Sequence, residues 1–364
     1  MPSKILIIII FAVLGIKQSL AQNIIVVQGS SGVSFYTSLG AAVSAASTGD
    51  TIYIPGGSWS ISPSLTINKK LHIFGVGHNP DSTIATGYTL LTGDINILSN
   101  ASGGTISGLK CTGTIRFGTT AGNQDVNNFE ISRCNLYNLY LGFSSPSAAD
   151  NNLFYENLFI GGVQDLYNSV NNGFYNNVFY VIKNIGINNL FRNNIFNVSM
   201  TENYSDGYFW YGCPASFVNA KGSLFENNIF RGKLMSAGGY NDNFSNCTFY
   251  NNLFSLEGDC GPATPTCVGC VDYNSILSQP DLLIFENYPI GQAFQYNLSF
   301  QLKSSSLGKN AGTDGTDIGV YGGLYPWKQS GIPRTPHIYF KSIDPSSNPS
   351  GTLDVEINVS AQDQ

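Results

Sequence analysis

Phe154-Tyr-Glu-Asn157-Leu-Phe159, Phe174-Tyr-Asn-Asn177-Val-Phe179, Phe191-Arg-Asn-Asn194-Ile-Phe196, Phe225-Glu-Asn-Asn228-Ile-Phe230 and Phe249-Tyr-Asn-Asn252-Leu-Phe254 all fall between Asn151 and Phe254. Each reads Phe, any residue, Asn or Glu, Asn, an aliphatic, Phe. The starts lie 20, 17, 34 and 24 residues apart, and 34 is twice 17. Self-similarity at this period marks a solenoid, whose units cannot bury their apolar faces alone. Phe and the aliphatics, at alternate positions, are expected on one face of a short strand. Asn is a poor strand former but tolerates a left-handed turn. An Asn repeated at one bend of every coil can hydrogen-bond its copies about 4.8 Å above and below, as in a cross-β ladder.

Helical repeats would need a 3.6-residue period, and a leucine-rich repeat its Leu-x-x-Leu-x-Leu frame. The pattern instead resembles the right-handed parallel β-helix proteins of the pectate-lyase-like superfamily. The opening is also similar to theirs. Leu39, Ala42, Val43 and Ala46 mark one face of a short helix ended by Gly49, followed by Gly49-Asp-Thr-Ile52-Tyr-Ile54-Pro55-Gly-Gly. In that family such a helix plugs the open end of the solenoid. Asp317-Ile-Gly-Val-Tyr321 resembles the signature that closes the last coils of bacterial surface β-helices. The implied fold is all-β: a right-handed parallel β-helix with an N-terminal helical cap and a short C-terminal strand extension. At 20–25 residues per coil, residues 50–320 would make roughly 11–13 coils.

The chain divides accordingly. Residues 1–21 read as an export signal, with Lys4, an apolar run from Ile5 to Ile16, and Ser19-Leu20-Ala21 before Gln22. That run is shorter than the roughly 20 residues of a spanning helix. The solenoid is assigned to 22–328 and the extension to 329–364. Ser330–Pro336 reads as a linker. Ile338–Ile343 and Leu353–Val359 read as strands, expected to cover the C-terminal edge. This tail resembles the ending of β-helix proteins from Bacteroidetes-type bacteria. The expected product is a secreted or cell-surface protein, monomeric, with no span in the mature chain.

Composition agrees. Charged residues make up 11% of the 364, Gly numbers 40, and the net charge is −6. No basic stripe suggests nucleic acid. Seven cysteines are present. Cys111, Cys134 and Cys247 sit in strand patterns and are expected to be buried and unpaired. Cys213, Cys260, Cys267 and Cys270 lie in Gly/Pro-rich loops and allow two disulfides with three connectivities. The Cys267-x-x-Cys270 pair lacks a nearby His and a second such pair, which favours a staple over a metal site.

The family's enzymes act on uronate-rich polysaccharides, so the resemblance implies carboxylate clusters that hold calcium beside a basic residue, or paired catalytic carboxylates. Asp165, Asp206, Asp242, Asp259 and Asp272 are scattered singly, and no catalytic or metal set is recognisable. Two features remain. Lys183, Arg192, Arg231 and Lys233 could form a positive strip facing an acidic glycan, or be ordinary solvated side chains. Tyr204-Ser-Asp206-Gly-Tyr208-Phe-Trp210-Tyr211 could stack on sugar rings, with Asp206 accepting hydroxyls, or be a packed aromatic lid. The substrate-binding candidates are therefore Lys183, Arg192, Asp206, Tyr208, Trp210, Tyr211 and Arg231. The expectation is a non-catalytic structural or glycan-binding protein without cofactor. The alternative is a lyase or hydrolase of an acidic polysaccharide, with Ca2+ needed only in that case.

Overall fold

A computed structural model describes residues 24–119, 125–142, 149–165, 169–197, 215–231, 233–235, 245–256, 267–289 and 292–361. Of 165, 183–184, 215–219, 233–235 and 256 only the backbone is described. The expected export signal lies outside these residues.

Parallel strands dominate, in two long sheets between which the chain passes back and forth once per coil. The arrangement is solenoid-like and compatible with a β-helix. The first sheet has twelve strands. Two of them, Ile25–Gly29 and Gly32–Tyr36, form an antiparallel hairpin at its N-terminal edge. The other ten run parallel, from Thr51–Tyr53 to Val271–Tyr273. The stack is thus shorter than the 11–13 coils expected, because the chain leaves it after Pro280. The helix Leu39–Ala45 is present, with Ser38 accepting the Ala41 N–H at its start and Leu39, Ala42 and Val43 buried.

The hexad divides its work more finely than alternation implies. Its first Phe lies on the first sheet and its last on the second, and both enter one core. Phe154, Phe174, Phe191, Phe225 and Phe249 stack at 4.8–5.0 Å between centroids. Phe159, Phe179, Phe196, Phe230 and Phe254 stack beside them at 4.6–5.3 Å. The third residue takes the left-handed turn: Glu156, Asn176, Asn193, Asn227 and Asn251 have φ of 49–57°. Asn visits this region more readily than other non-Gly residues.

The fourth residue makes the ladder. Asn157, Asn177, Asn194 and Asn228 each donate their backbone N–H to the side-chain oxygen of the next coil's Asn at 2.9 Å. Each amide nitrogen of Asn177, Asn194, Asn228 and Asn252 donates to a Phe carbonyl of the preceding coil, also at 2.9 Å. A second ladder, Asn152, Asn172 and Asn189, runs along the other end of the first sheet and continues through Ser223. Cys134 and Cys247 occupy ladder positions and Cys111 a strand; all three are free and buried. Burial raises the Cys134 thiol to about 12 and Cys111 and Cys247 to about 11. Cys267 and Cys270 are disulfide-bonded. Cys213 and Cys260 lie outside the described residues.

The fifth residue corrects the expectation of a shared face. Leu158, Val178, Ile195, Ile229 and Leu253 point away from the Phe stacks and are nevertheless fully buried. They build a second core with Ile284, Phe285, Tyr288, Phe300, Leu302, Ile318, Val320 and Trp327. The chain after Pro280 is therefore a strap, which returns along the turn column from the last coils to the first. Asn251 donates to Ala311 O (3.0 Å), Asn227 to Thr313 Oγ1 (3.0 Å), and Asn176 to Gly322 O (2.6 Å). Arg133 donates to Ile332 O (3.1 Å) and Asn79 to Gln329 O (2.9 Å). Asp317–Tyr321, expected to finish the coils, belongs to this strap. There Gly319 has φ 90°, its N–H meets Asn227 O at 2.8 Å, and a Cβ would stand 2.6 Å from Ile229 Cδ1.

The expected linker is likewise held against the early coils: Ile332 is buried and Gly331 abuts the His78 ring. The antiparallel hairpin His337–Ile343/Val355–Ser360 does form. It emerges beside Ile24, Val26, Tyr53 and Pro55, and so does not cover the C-terminal edge. At that edge Asp272 takes the core position that Phe249 holds one coil earlier. An inward carboxylate is a device that stops further strand pairing.

Asn194→Ala removes an acceptor and a donor that serve two buried backbone groups, each worth about 1–3 kcal/mol. Urea unfolding is expected to show a loss of about 3 kcal/mol, and an unchanged midpoint would refute the ladder's energetic role. Asp272→Phe extends the Phe column to an open edge. Concentration-dependent self-association by light scattering is the expected outcome; a strictly monomeric variant would show that Asp272 does not guard that edge.

Candidate functional site

The outer face of the first sheet carries two rows, one on each side of the inward Phe column. One row reads Thr51, His72, Thr105, Glu130, Leu153; the other reads Tyr53, Phe74, Ser107, Ser132, Tyr155, Tyr175, Arg192, Glu226, Tyr250, Tyr273. Parallel in-register pairing forces this, since alternate residues face the same side and each coil adds one residue to each row.

Where the rows reach the coils of Thr105, Glu130 and Leu153, they floor a recess of about 300 Å³. Thr105, Ser107, Ser132 and Glu130 supply oxygens. Phe74 and Tyr155 supply rings, and Arg334 and Thr335 of the strap form a wall. The Tyr155 hydroxyl donates to Glu130 Oε1 at 2.5 Å, and Ser132 Oγ donates to Ser107 Oγ at 2.9 Å. Tyr155 is buried, stacked on Tyr325 at 4.4 Å, with Arg334 Cζ 5.5 Å over its ring. Burial, then the Glu130 charge, pushes the Tyr155 phenol up, so it is a hydrogen-bond donor rather than a base. His72 bonds Thr105 Oγ1 through Nδ1 (3.2 Å); burial and then Lys70 lower its pKa, against an upward pull from Glu130. Phe74 stacks on Tyr53 at 6.0 Å. Further along, Tyr250 and Tyr273 form an exposed stacked pair at 4.6 Å.

The positive strip does not assemble. Arg192 is on this outer face but is paired with Glu226, Nη2 to Oε2 at 2.5 Å. Lys183 lies in Ile182–Ile187, a strand paired with the second sheet. Lys233 likewise lies in a strand of that sheet. Arg231 is fully buried beneath the strap. It is bonded to Asp281 at 2.6 and 2.8 Å and to Tyr288 O at 2.9 Å, with Phe285 and Tyr288 rings about it. It fastens the strap and has no surface to offer a ligand. Asp206, Tyr208, Trp210 and Tyr211 lie outside the described residues. Among the described residues no group of three or more His, Cys, Asp or Glu could hold a metal.

Most floor residues of the recess carry no hexad signature, because Phe74, Thr105, Ser107, Glu130 and Ser132 precede the regular hexads. The signal available was the departure of Ile131-Ser-Arg133-Cys134 and Phe154-Tyr-Glu156-Asn157 from Asn at the third position. The wall residues come from about 200 positions downstream, a contact that only the strap creates.

No family model, curated protein or solved structure matches this chain.

The strap's seat near the recess includes His78, which is fully buried and bonded through Nδ1 to Tyr296 Oη at 3.0 Å. Burial, then Lys110, lowers its pKa from 6.5 to about 3. Below about 6.5 the unfolded chain takes a proton at His78 that the native state refuses until about 3, so this group costs stability progressively as pH falls through that window. His78→Gln is expected to lose less stability than wild type between about pH 7 and 4.5, by on the order of 2 kcal/mol. Parallel pH profiles of chemical unfolding for the two proteins would disprove this.

Proposed function

We propose that the chain is an exported β-helix protein that binds a glycan along the outer face of the first sheet without cleaving it. The observation that carries this is the recess, where hydroxyls, one fixed carboxylate and aromatic rings converge. The half-buried Phe74 ring supplies an apolar face for sugar C–H groups, and the hydroxyls and the carboxylate hydrogen-bond sugar hydroxyls. Glu130 has its orientation set by Tyr155 before any ligand arrives, which lowers the ordering cost of binding. Right-handed coiling, helical closure of the N-terminal end by Leu39–Ala45 and membership of the pectate-lyase-like, Bacteroidetes-type group belong to the same proposal. They are supported by the hexads, by the opening and closing motifs and by the parallel sheets. Export is supported by the charge, apolar run and small-x-small pattern of residues 1–21.

Binding without cleavage is supported by the chemistry of the recess. Glycosidic hydrolysis needs two carboxylates about 5–10 Å apart, and the recess offers Glu130 as the one carboxylate among its described lining residues. Its phenol is held in the protonated state by burial and by the adjacent charge.

The test is a panel of neutral and acidic polysaccharides, with and without Ca2+, followed by both retention on the protein and polymer length. The expected result is retention of at least one polymer at unchanged length, weakened about tenfold or more in Tyr155→Ala, which releases Glu130, and in Arg334→Ala, which removes the wall, each worth about 1 kcal/mol or more. Shortening of any polymer would replace binding with a lyase or hydrolase activity. Retention that survives both substitutions would move the site off this recess.

A further inference from the structure

Two of the turn residues look badly chosen for the fold. Of the seven left-handed third positions from 133 onward, five are Asn: 176, 193, 227, 251 and 274. The other two are Arg133 (φ 52°) and Glu156 (φ 54°), in adjacent coils. Neither favours this conformation as Asn does. Both side chains are fully buried, with Arg133 Nε 2.7 Å and Nη2 3.3 Å from the Glu156 carboxylate. A buried ion pair is weak evidence for stability, because desolvation offsets the attraction; its best-attested use is to fix one geometry over others.

The geometry fixed here is that of the strap. Asn176 and Asn193 reach strap carbonyls directly from the turn. At Arg133 a longer side chain makes the equivalent bond, Nη1 to Ile332 O at 3.1 Å. Gly108 leaves room for Pro333, which a Cβ would meet at 2.4 Å. Directly afterwards Arg334 lies over the Tyr155 ring and, with Thr335, walls the recess. Tyr155 is itself the neighbour of Glu156 in sequence. The ion pair thus ties together the coil that supplies the floor and the strap that supplies the wall.

We propose that Arg133 and Glu156 are positioning residues for the recess: they seat residues 332–335 where Arg334 and Thr335 complete a binding site. This rests on the recess being the glycan site proposed above. The double variant R133N/E156N restores the residue that the repeat prefers. Its thermal stability is expected to equal or exceed that of wild type, while amide hydrogen exchange at Ile332, Arg334 and Thr335 accelerates about tenfold or more and glycan affinity falls about tenfold. R334A separates wall from seat: its exchange at Ile332 stays slow although its affinity falls. If the Asn pair does not fold, R133M/E156M keeps the volume without the charges and is expected to shift exchange and affinity in the same direction. Wild-type exchange and affinity in a folded double variant would overturn the proposal. If wild type retains no glycan, the functional reading fails by itself, and exchange alone then decides whether the pair seats the strap.

Discussion

Every coil must turn sharply on each side of the first sheet, and each turn buries backbone groups that no sheet can satisfy. The paired residues at those turns solve this jointly. One takes the left-handed bend, and its successor sends a side-chain amide into the gap between coils, where its oxygen accepts one N–H and its nitrogen feeds one carbonyl. Asn suits both tasks, with one residue's chemistry used for conformation and the next residue's for hydrogen bonding. Because the amide spans one coil spacing, the same bond enforces register, and register in turn aligns the Phe rings face to face. The aromatic stacks follow from the ladder as much as they support it.

The stack is not self-sufficient sideways. Its fifth-position aliphatics face outward, and left bare they would form a continuous apolar stripe of the kind soluble chains avoid. The strap supplies the missing layer and is fastened at points of unlike chemistry: Arg231 to Asp281, Asn side chains to backbone carbonyls, and His78 to Tyr296. Its bonds join residues from 50 positions apart, for Arg231 and Asp281, to 250 apart, for Asn79 and Gln329. Such contacts carry a large loop-closure cost, which favours strap docking after the coils have formed.

The repeat, the parallel stacking, the Asn ladder and the three buried thiols were all legible in the sequence, because each leaves a local and periodic trace. The second core was not. Leu158, Val178, Ile195, Ile229 and Leu253 carry the same apolar signature as residues of the Phe core, and nothing local says which side of the sheet they face. Asp317–Tyr321 shows the same limit: Gly319 records a close backbone approach, but its partner, Asn227, lies 92 residues earlier. Arg231 shows it for charge. A lone arginine beside a Phe reads as a surface cation until Asp281 is brought beneath it by the returning chain.

What separates a scaffold from a site in such a protein is deviation from the repeat. Identical coils present identical rows, and a uniform row of Phe and Asn offers no address for a particular ligand. At the coils of Glu130 and Leu153 three things change together. The outer row turns from rings to hydroxyls at Ser107 and Ser132, the turn column turns from amides to an ion pair, and the strap brings the Arg334 guanidinium over the Tyr155 ring. Each change is unfavourable or neutral for a solenoid that needs only to stack, since hydroxyls pack less well than rings and buried charges less well than amides. Their coincidence within one recess is hard to account for by folding alone and is what a fold looks like where stability has been exchanged for a defined surface.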